Sequence, residues 1–191
     1  MPSRSLRKWQ ASGRKALDEF EAAHATAGRH GRRRHSAQQI NQAYVLLLSA
    51  HFQSFCRNLH TECVEHLVSS LVQAPARMIV RRRFMDNRKL DAGNPNPGNI
   101  GSDFERFEIT FWPAVRTYDR RADSRQRALM GMNQWRNAIA HQDFAKPGVG
   151  GRERLRIGEV RQWRSACEFL AVDFERVMYH YLRDTTGIAP W

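Results

Sequence analysis

One stretch constrains the fold of this chain more than any other. Ile40, Tyr44, Leu47, Leu48, Phe52, Phe55, Leu59, Cys63, Leu67 and Leu71 recur at three- and four-residue steps. That spacing puts them on one face of an α-helix about ten turns long. Ser36 followed by Gln39 reads as a capping box at its start, and Ala74-Pro75 as its stop, because proline disfavours helix in the residue before it. A stripe this long needs other helices laid along it, so a bundle is expected.

The rest of the chain is consistent with that. A first helix is expected from Ser5 to about Ala27, with Leu6, Trp9, Leu17 and Phe20 on its apolar face. GRHGRRRH at 28–35 reads as a basic loop, Arg77–Lys89 as a basic segment and GNPNPGNIG at 93–101 as a loop. Ser102–Tyr118 is predicted helical, with a break at Pro113. A further helix is predicted from Asp123 or Ser124 to the region His141–Phe144, before the loop KPGVGG. The last long helix is expected from Ile157 to Arg183, and 185–191 as a loose tail. The fold class is therefore all-α: an up-down helical bundle of about five helices with one long central helix. There is no internal repeat and no second core. One domain over 1–191 is predicted: an N-terminal helix and basic loop at 1–35, a core bundle at 36–184, and the tail.

The formal net charge of +12 points to polyanionic partners, RNA first. Arg supplies nearly all of it, since Lys8, Lys15, Lys89 and Lys146 are the only lysines. Arg braces phosphate with a planar fork and stacks on bases. Cys56, Cys63 and Cys167 form no CxxC pair, and read as reduced core thiols of a cytoplasmic protein. The segment 1–10 has no apolar core of a signal peptide, and no apolar run is long enough to span a bilayer. No membrane partner is expected.

Cys56, His60, Cys63 and His66 share a helix face, but a straight helix spreads them over about 15 Å, too far for one tetrahedral zinc. No metal and no cofactor are predicted. No nucleophile elbow or phosphate loop is present.

The residues best suited to chemistry lie in WRNAIAHQDF, 135–144. His141 takes or gives a proton near neutrality, and Arg136 keeps its charge and braces a phosphate. Together they supply what RNA self-cleavage needs: a base for the ribose 2′-OH and a cation for the charge gathering on the phosphoryl oxygens. Asn137 and His141 are four apart and share a helical face, so the Asn137 carbonyl is expected to fix the His141 tautomer. Arg136 and His141 are five apart, which turns them away from each other on a regular helix. A distorted helix end, or a substrate lying across it, is needed to unite them. The helix dipole at that end favours an imidazole able to act as acid as well as base.

RNAIAH resembles the signature of the HEPN superfamily: Arg, four to six intervening residues, then His, with a polar residue, often Asn, following the Arg. YVLLLSAHFQSFCRNL, 44–59, resembles the long core helix that stand-alone HEPN families carry before the motif helix. The resemblance runs from about residue 35 to the last helix. Some relatives, RiboL-PSP-type HEPN proteins among them, have an acidic residue about where Gln53 stands. The resemblance implies a bundle that dimerises, two motif helices lining a shared basic cleft, and metal-independent endoribonuclease activity leaving 2′,3′-cyclic phosphate. It implies a role in toxin–antitoxin systems, phage defence or RNA processing, with an acidic antitoxin or other protein as a further partner. Other members have lost activity and only bind. Arg136, Asn137 and His141 are the expected catalytic set. His51, Gln53 and Arg57 on the long helix, and Arg81, Arg82 and Arg83, are the expected RNA contacts, joined by the basic run 32–34.

Overall fold

The structure is a computed structural model that describes residues 1–28, 34–145 and 148–191, and the side chains of these apart from 27, 28, 34 and 35. Most of the basic loop at 28–35, including Arg32 and Arg33, and Lys146-Pro147 of the second loop lie outside the described residues. Among those described, all regular structure is helical: α1 (Arg4–Lys8), a π-helical turn (Trp9–Gly13), α2 (Arg14–Gly28), α3 (Arg34–Leu71), α4 (Ala74–Met85), α5 (Lys89–Ala92), α6 (Pro97–Phe104), a 3-10 turn (Glu105–Phe107), α7 (Phe111–Tyr118), α8 (Ala122–His141) and α9 (Ile157–Thr186). No described helix is long and apolar enough to cross a membrane.

α3 is the central element, packed by α1, α2, α8 and α9. Because neighbours cover it on several sides, its buried surface is wider than the stripe. Val45, Cys56, Val64 and Val68 join Tyr44, Leu48, Phe52, Leu59 and Cys63 inside. Leu71, the last residue of α3, is exposed. Phe174 of α9 centres an aromatic cluster with Phe52, Phe104, Phe111 and Trp112. Trp9 meets Phe52 edge-on, and Glu62 of α3 accepts the first free N–H groups of α1, Arg4 N at 2.9 Å and Ser5 N at 3.0 Å. The N-terminal helix is therefore part of the core.

The structure differs from the sequence expectations between the long helices. α3 already includes Arg34 and His35, so Ser36 and Gln39 lie inside its first turns rather than capping it. Pro75 ends nothing by itself: it sits in the first turn of α4, where a missing N–H is harmless. The basic segment is thus largely helix. Only the first half of 93–101 is loop, because Asn96 caps α6 through its side chain and Pro97 opens it. Ser102–Tyr118 is not one helix. Glu108 takes a left-handed conformation (φ 59°), and α7 starts afresh at Phe111 with Pro113 in its first turn. These short helices replace the simple count of about five. The tail is not loose at its end, where Trp191 packs against Tyr179.

A buried polar node joins the 88–104 segment to α3. Asp103 has no exposed surface, and its two carboxylate oxygens accept Lys89 N and Leu90 N, both at 2.8 Å, which are the first N–H groups of α5. His60, also fully buried, faces the Asp103 carbonyl through Nε2 (3.1 Å) and Arg88 Nη1 through Nδ1 (3.4 Å). A carbonyl only accepts and a guanidinium only donates, so the proton sits on Nε2 and the ring is neutral. Arg88 also forms a bidentate pair with Asp91 at 3.0 Å per bond and donates to Thr61 Oγ1 at 2.9 Å.

Burial, with the Arg88 charge beside it, pushes the His60 pKa down to about 3. The unfolded chain therefore binds a proton here that the folded chain refuses. This contribution to stability is constant above the ordinary histidine range and falls by up to about 1.4 kcal/mol per pH unit from about pH 6.5 toward 3. Urea unfolding across pH 7 to 4 should show that slope in the wild type and a shallower one in His60→Gln. Equal slopes would contradict the assignment.

Candidate active site

α8 presents Trp135, Ala138 and Ile139 to the core and leaves His141 exposed as its last residue. The helix stops there because Gln142 adopts a left-handed conformation (φ 52°), letting Asp143 N donate back to Ala138 O at 2.9 Å. Trp135 anchors the chain beyond this stop: Phe144 packs beside it and the Arg152 guanidinium lies over its ring. Gly148 lets the Gln134 side chain lie close, since a Cβ there would fall 2.3 Å from Gln134 Cδ.

Arg136 is half-buried on the side of α8 about 140° away from His141. Its guanidinium reaches laterally, and Nη1 donates to Asn137 Oδ1 at 3.2 Å. The charge is thus drawn toward the face that Asn137 shares with His141. The expected bond from the Asn137 carbonyl to His141 is not what forms. Asn137 Oδ1 receives Arg136 and, at 2.9 Å, Asn94 Nδ2. Asn137 orients the arginine instead. Arg136 has no carboxylate partner among the described residues.

Asn94 belongs to a short, heavily bonded loop. Asn96 Nδ2 donates to Asn94 Oδ1 at 2.8 Å, Asn99 N to Asn96 Oδ1 at 2.9 Å, and Asn99 Nδ2 to Asn94 O at 2.8 Å. Asn133 of α8 donates to Pro95 O at 3.0 Å and Trp112 to Pro97 O at 2.9 Å. Gly93 lets Asn99 approach, as a Cβ there would sit 2.5 Å from Asn99 Nδ2. Sequence reasoning gives this stretch as a plain loop and misses Asn94, Asn96 and Asn133. A signal is present in the density of asparagines around the two prolines, since Asn both caps helices and bonds nearby backbone.

The other expected contact residues lie apart from Arg136. Gln53 Nε2 donates to both Leu90 O and Gly93 O, at 2.7 Å each, and so fixes the base of the asparagine loop. His51 lines a small cavity with Lys8, Trp9, Ser12 and Gly13, on the side of α3 that faces the N-terminal segment. Arg57 pairs with Asp91 at 2.9 Å, and Arg81 with Glu65 at 2.6 Å. Arg82 lies 3.7 Å from Asp86. Arg83 borders a cavity of about 680 Å³ with Phe84, Asp86, Asn87, Arg106 and Glu108. That cavity holds acids as well as arginines, and Arg106 is engaged by the carbonyls of Phe84, Asp86 and Asn87, so it is a poor receptor for a polyanion.

No family model matches this chain, and no curated protein and no solved structure matches it.

Gln53 supplies two donors to two carbonyls, which a carboxylate cannot do. Gln53→Glu should destabilise the fold by about 2 kcal/mol at pH 8, with part of the loss recovered at pH 5 as the new carboxyl becomes protonated. Chemical denaturation at the two pH values checks this, and a variant equally stable at both would refute the donor role.

Proposed function

We propose that this chain is a HEPN-like, metal-independent endoribonuclease acting through Arg136, Asn137 and His141. One observation carries the reading. Arg136 is held by an amide oxygen and not by an acid. An amide orients a guanidinium without neutralising it, so the full charge remains for a phosphate. His141 stands one turn beyond Asn137, exposed at the helix end.

In this reading an imidazole takes the ribose 2′-OH proton and the 2′-oxygen attacks the adjacent phosphorus. Arg136 stabilises the charge added to the phosphoryl oxygens. The P–O5′ bond breaks, the leaving O5′ receives a proton, and 2′,3′-cyclic phosphate remains. In-line attack sets the 2′-oxygen and the leaving O5′ on opposite sides of the phosphorus, so the imidazole beside the first does not reach the second and the acid comes from elsewhere. A second copy of the chain, bringing its own His141 across a two-fold axis, supplies it. α8 offers a face for such pairing, on which Met130, 47 % exposed, is aligned with Arg127, Asn137 and His141. The five-helix HEPN-like core, the homodimer, RNA as partner, an acidic antitoxin and a role in toxin–antitoxin systems, defence or RNA processing all belong to this proposal.

A second reading has one observation in its favour: Arg136 and His141 leave α8 in different directions. It makes the chain a non-catalytic RNA- or protein-binding module. Salt-sensitive RNA binding without a cyclic-phosphate product would select it.

Incubated with total RNA, the wild type should generate 2′,3′-cyclic phosphate ends in the presence of EDTA. His141→Ala should lower the rate by about 10³-fold while keeping the fold. Cleavage that stops with EDTA, or persists in His141→Ala, rejects the mechanism. Light scattering should find a dimer, and Met130→Asp should make it monomeric and inactive; an active monomer would reject the shared site.

A further inference from the structure

The hydrogen bonds around Asn94 have a fixed direction. At one end stands Arg136, whose guanidinium only donates, so the atom of Asn137 facing it is the oxygen. Asn94 bonds the same oxygen and therefore presents its NH2 group. Its own oxygen then faces Asn96 and accepts the Asn96 NH2. At the other end Asn96 Oδ1 accepts the backbone N–H of Asn99, which also only donates. Both termini force the same polarity, and none of these three side-chain amides is free to turn over. The relay begins at the capped start of α6, whose own carboxylate Asp103 is fixed in the core. It ends at a guanidinium on α8.

This arrangement also leaves one group uncommitted. With its oxygen receiving two donors, Asn137 directs its NH2 away from both, and that NH2 bonds no other described residue. Arg136 likewise has only one of its five N–H groups in a bond to a described residue. The two side chains together offer donors, and no acceptor, to an incoming group.

We propose that Asn94 and Asn96 are positioning residues, a polar relay that fixes the orientation of Asn137 and Arg136 so that both present N–H donors to one phosphoryl group. The meaning given to that group rests on the endoribonuclease reading; the relay itself rests on the bonds. Neither asparagine touches the reacting atoms. Their effect is on the alignment of the donors, and therefore on turnover more than on binding, because phosphate attraction by Arg136 survives misalignment while stabilisation of the transition state does not.

The test uses the full chain with Asn94→Ala and Asn94→Asp. Asp is isosteric but replaces the relay's donor with an acceptor, so Asn137 is driven to turn its NH2 inward and Arg136 gains a carboxylate neighbour. Asn94→Asp should lower kcat by about 100-fold, and Asn94→Ala by about tenfold, with KM changed less than about threefold. A second readout needs no activity. NMR exchange rates of the Arg136 Nη groups report how firmly the guanidinium is held, and should rise at least about fivefold in Asn94→Ala. Unchanged exchange overturns the relay whatever the activity. Faster exchange in a protein whose wild type cleaves no RNA upholds the relay and removes the endoribonuclease reading. Wild-type kcat in Asn94→Asp, in a protein that otherwise cleaves through His141, overturns the positioning role.

Discussion

A carboxylate sealed inside a protein is costly unless several donors meet it, and Asp103 is such a group. Two backbone N–H groups at the start of α5 meet it directly, and Arg106 lies 3.7 Å away. This binds the two ends of the 88–104 segment to each other. His60 then ties that segment to α3 through the Asp103 carbonyl, and Gln53 ties it again one loop further on. Between Lys89 and Asn96 the segment buries Leu90 in the core, and directional polar bonds add to that anchor. A fully satisfied polar network rigidifies the elements it joins.

That rigidity matters because of where the segment goes next. Asn94 and Pro95 lie against Asn137 and Asn133 of α8. Arg136 is thus placed by a chain of contacts that starts in the core. The chain is rich in arginine, yet several arginines face acids: Arg57 and Arg88 meet Asp91, Arg81 meets Glu65, and Arg125 meets Asp119 and Asp173. Their charge contributes to the overall field but is locally balanced. Arg136 differs from these four in having an amide oxygen, Asn137 Oδ1, where each of them has a carboxylate. In the endoribonuclease reading, the net charge of +12 would attract a polyanion to the whole surface, and the choice of neighbour would decide where a single phosphate gains most.

The large-scale fold is legible in the sequence wherever apolar periodicity is long. α3, α8 and α9 emerge from it to within a few residues, as does the helical stretch before Gly28, apart from its π turn. The short helices are not legible, because proline has opposite meanings at the two ends of a helix. Pro75 and Pro97 open α4 and α6, and only the tertiary setting distinguishes that from termination. Chemistry and spacing pick out the motif residues, but not their bonding partner. The four-residue rule assigns Asn137 to His141, and that rule knows only the helix itself. The competing donor, Asn94, comes from 43 residues away, and no local pattern announces it. Gln53 is the converse case. Its neighbours are backbone carbonyls, so a donor is needed there, and an acid could not hold them.

The remaining question is why a site of this kind would stand on an exposed helix end and not in a deep cavity. A small neutral substrate must be surrounded to be bound, whereas a polyanion is held by many distant charges and needs only local alignment at one linkage. The exposed His141 and the laterally held Arg136 fit the second case. In the proposed reaction they also leave the site incomplete by itself, since the attacking and leaving oxygens lie on opposite sides of the phosphorus and α8 provides one imidazole. Pairing across the Met130 face would add the second imidazole and cover the Met130 side chain, which is otherwise 47 % exposed. Dimerisation and catalysis would then be one requirement of the same helix, and a change on its outer face would be felt at the chemistry without touching any residue that performs it.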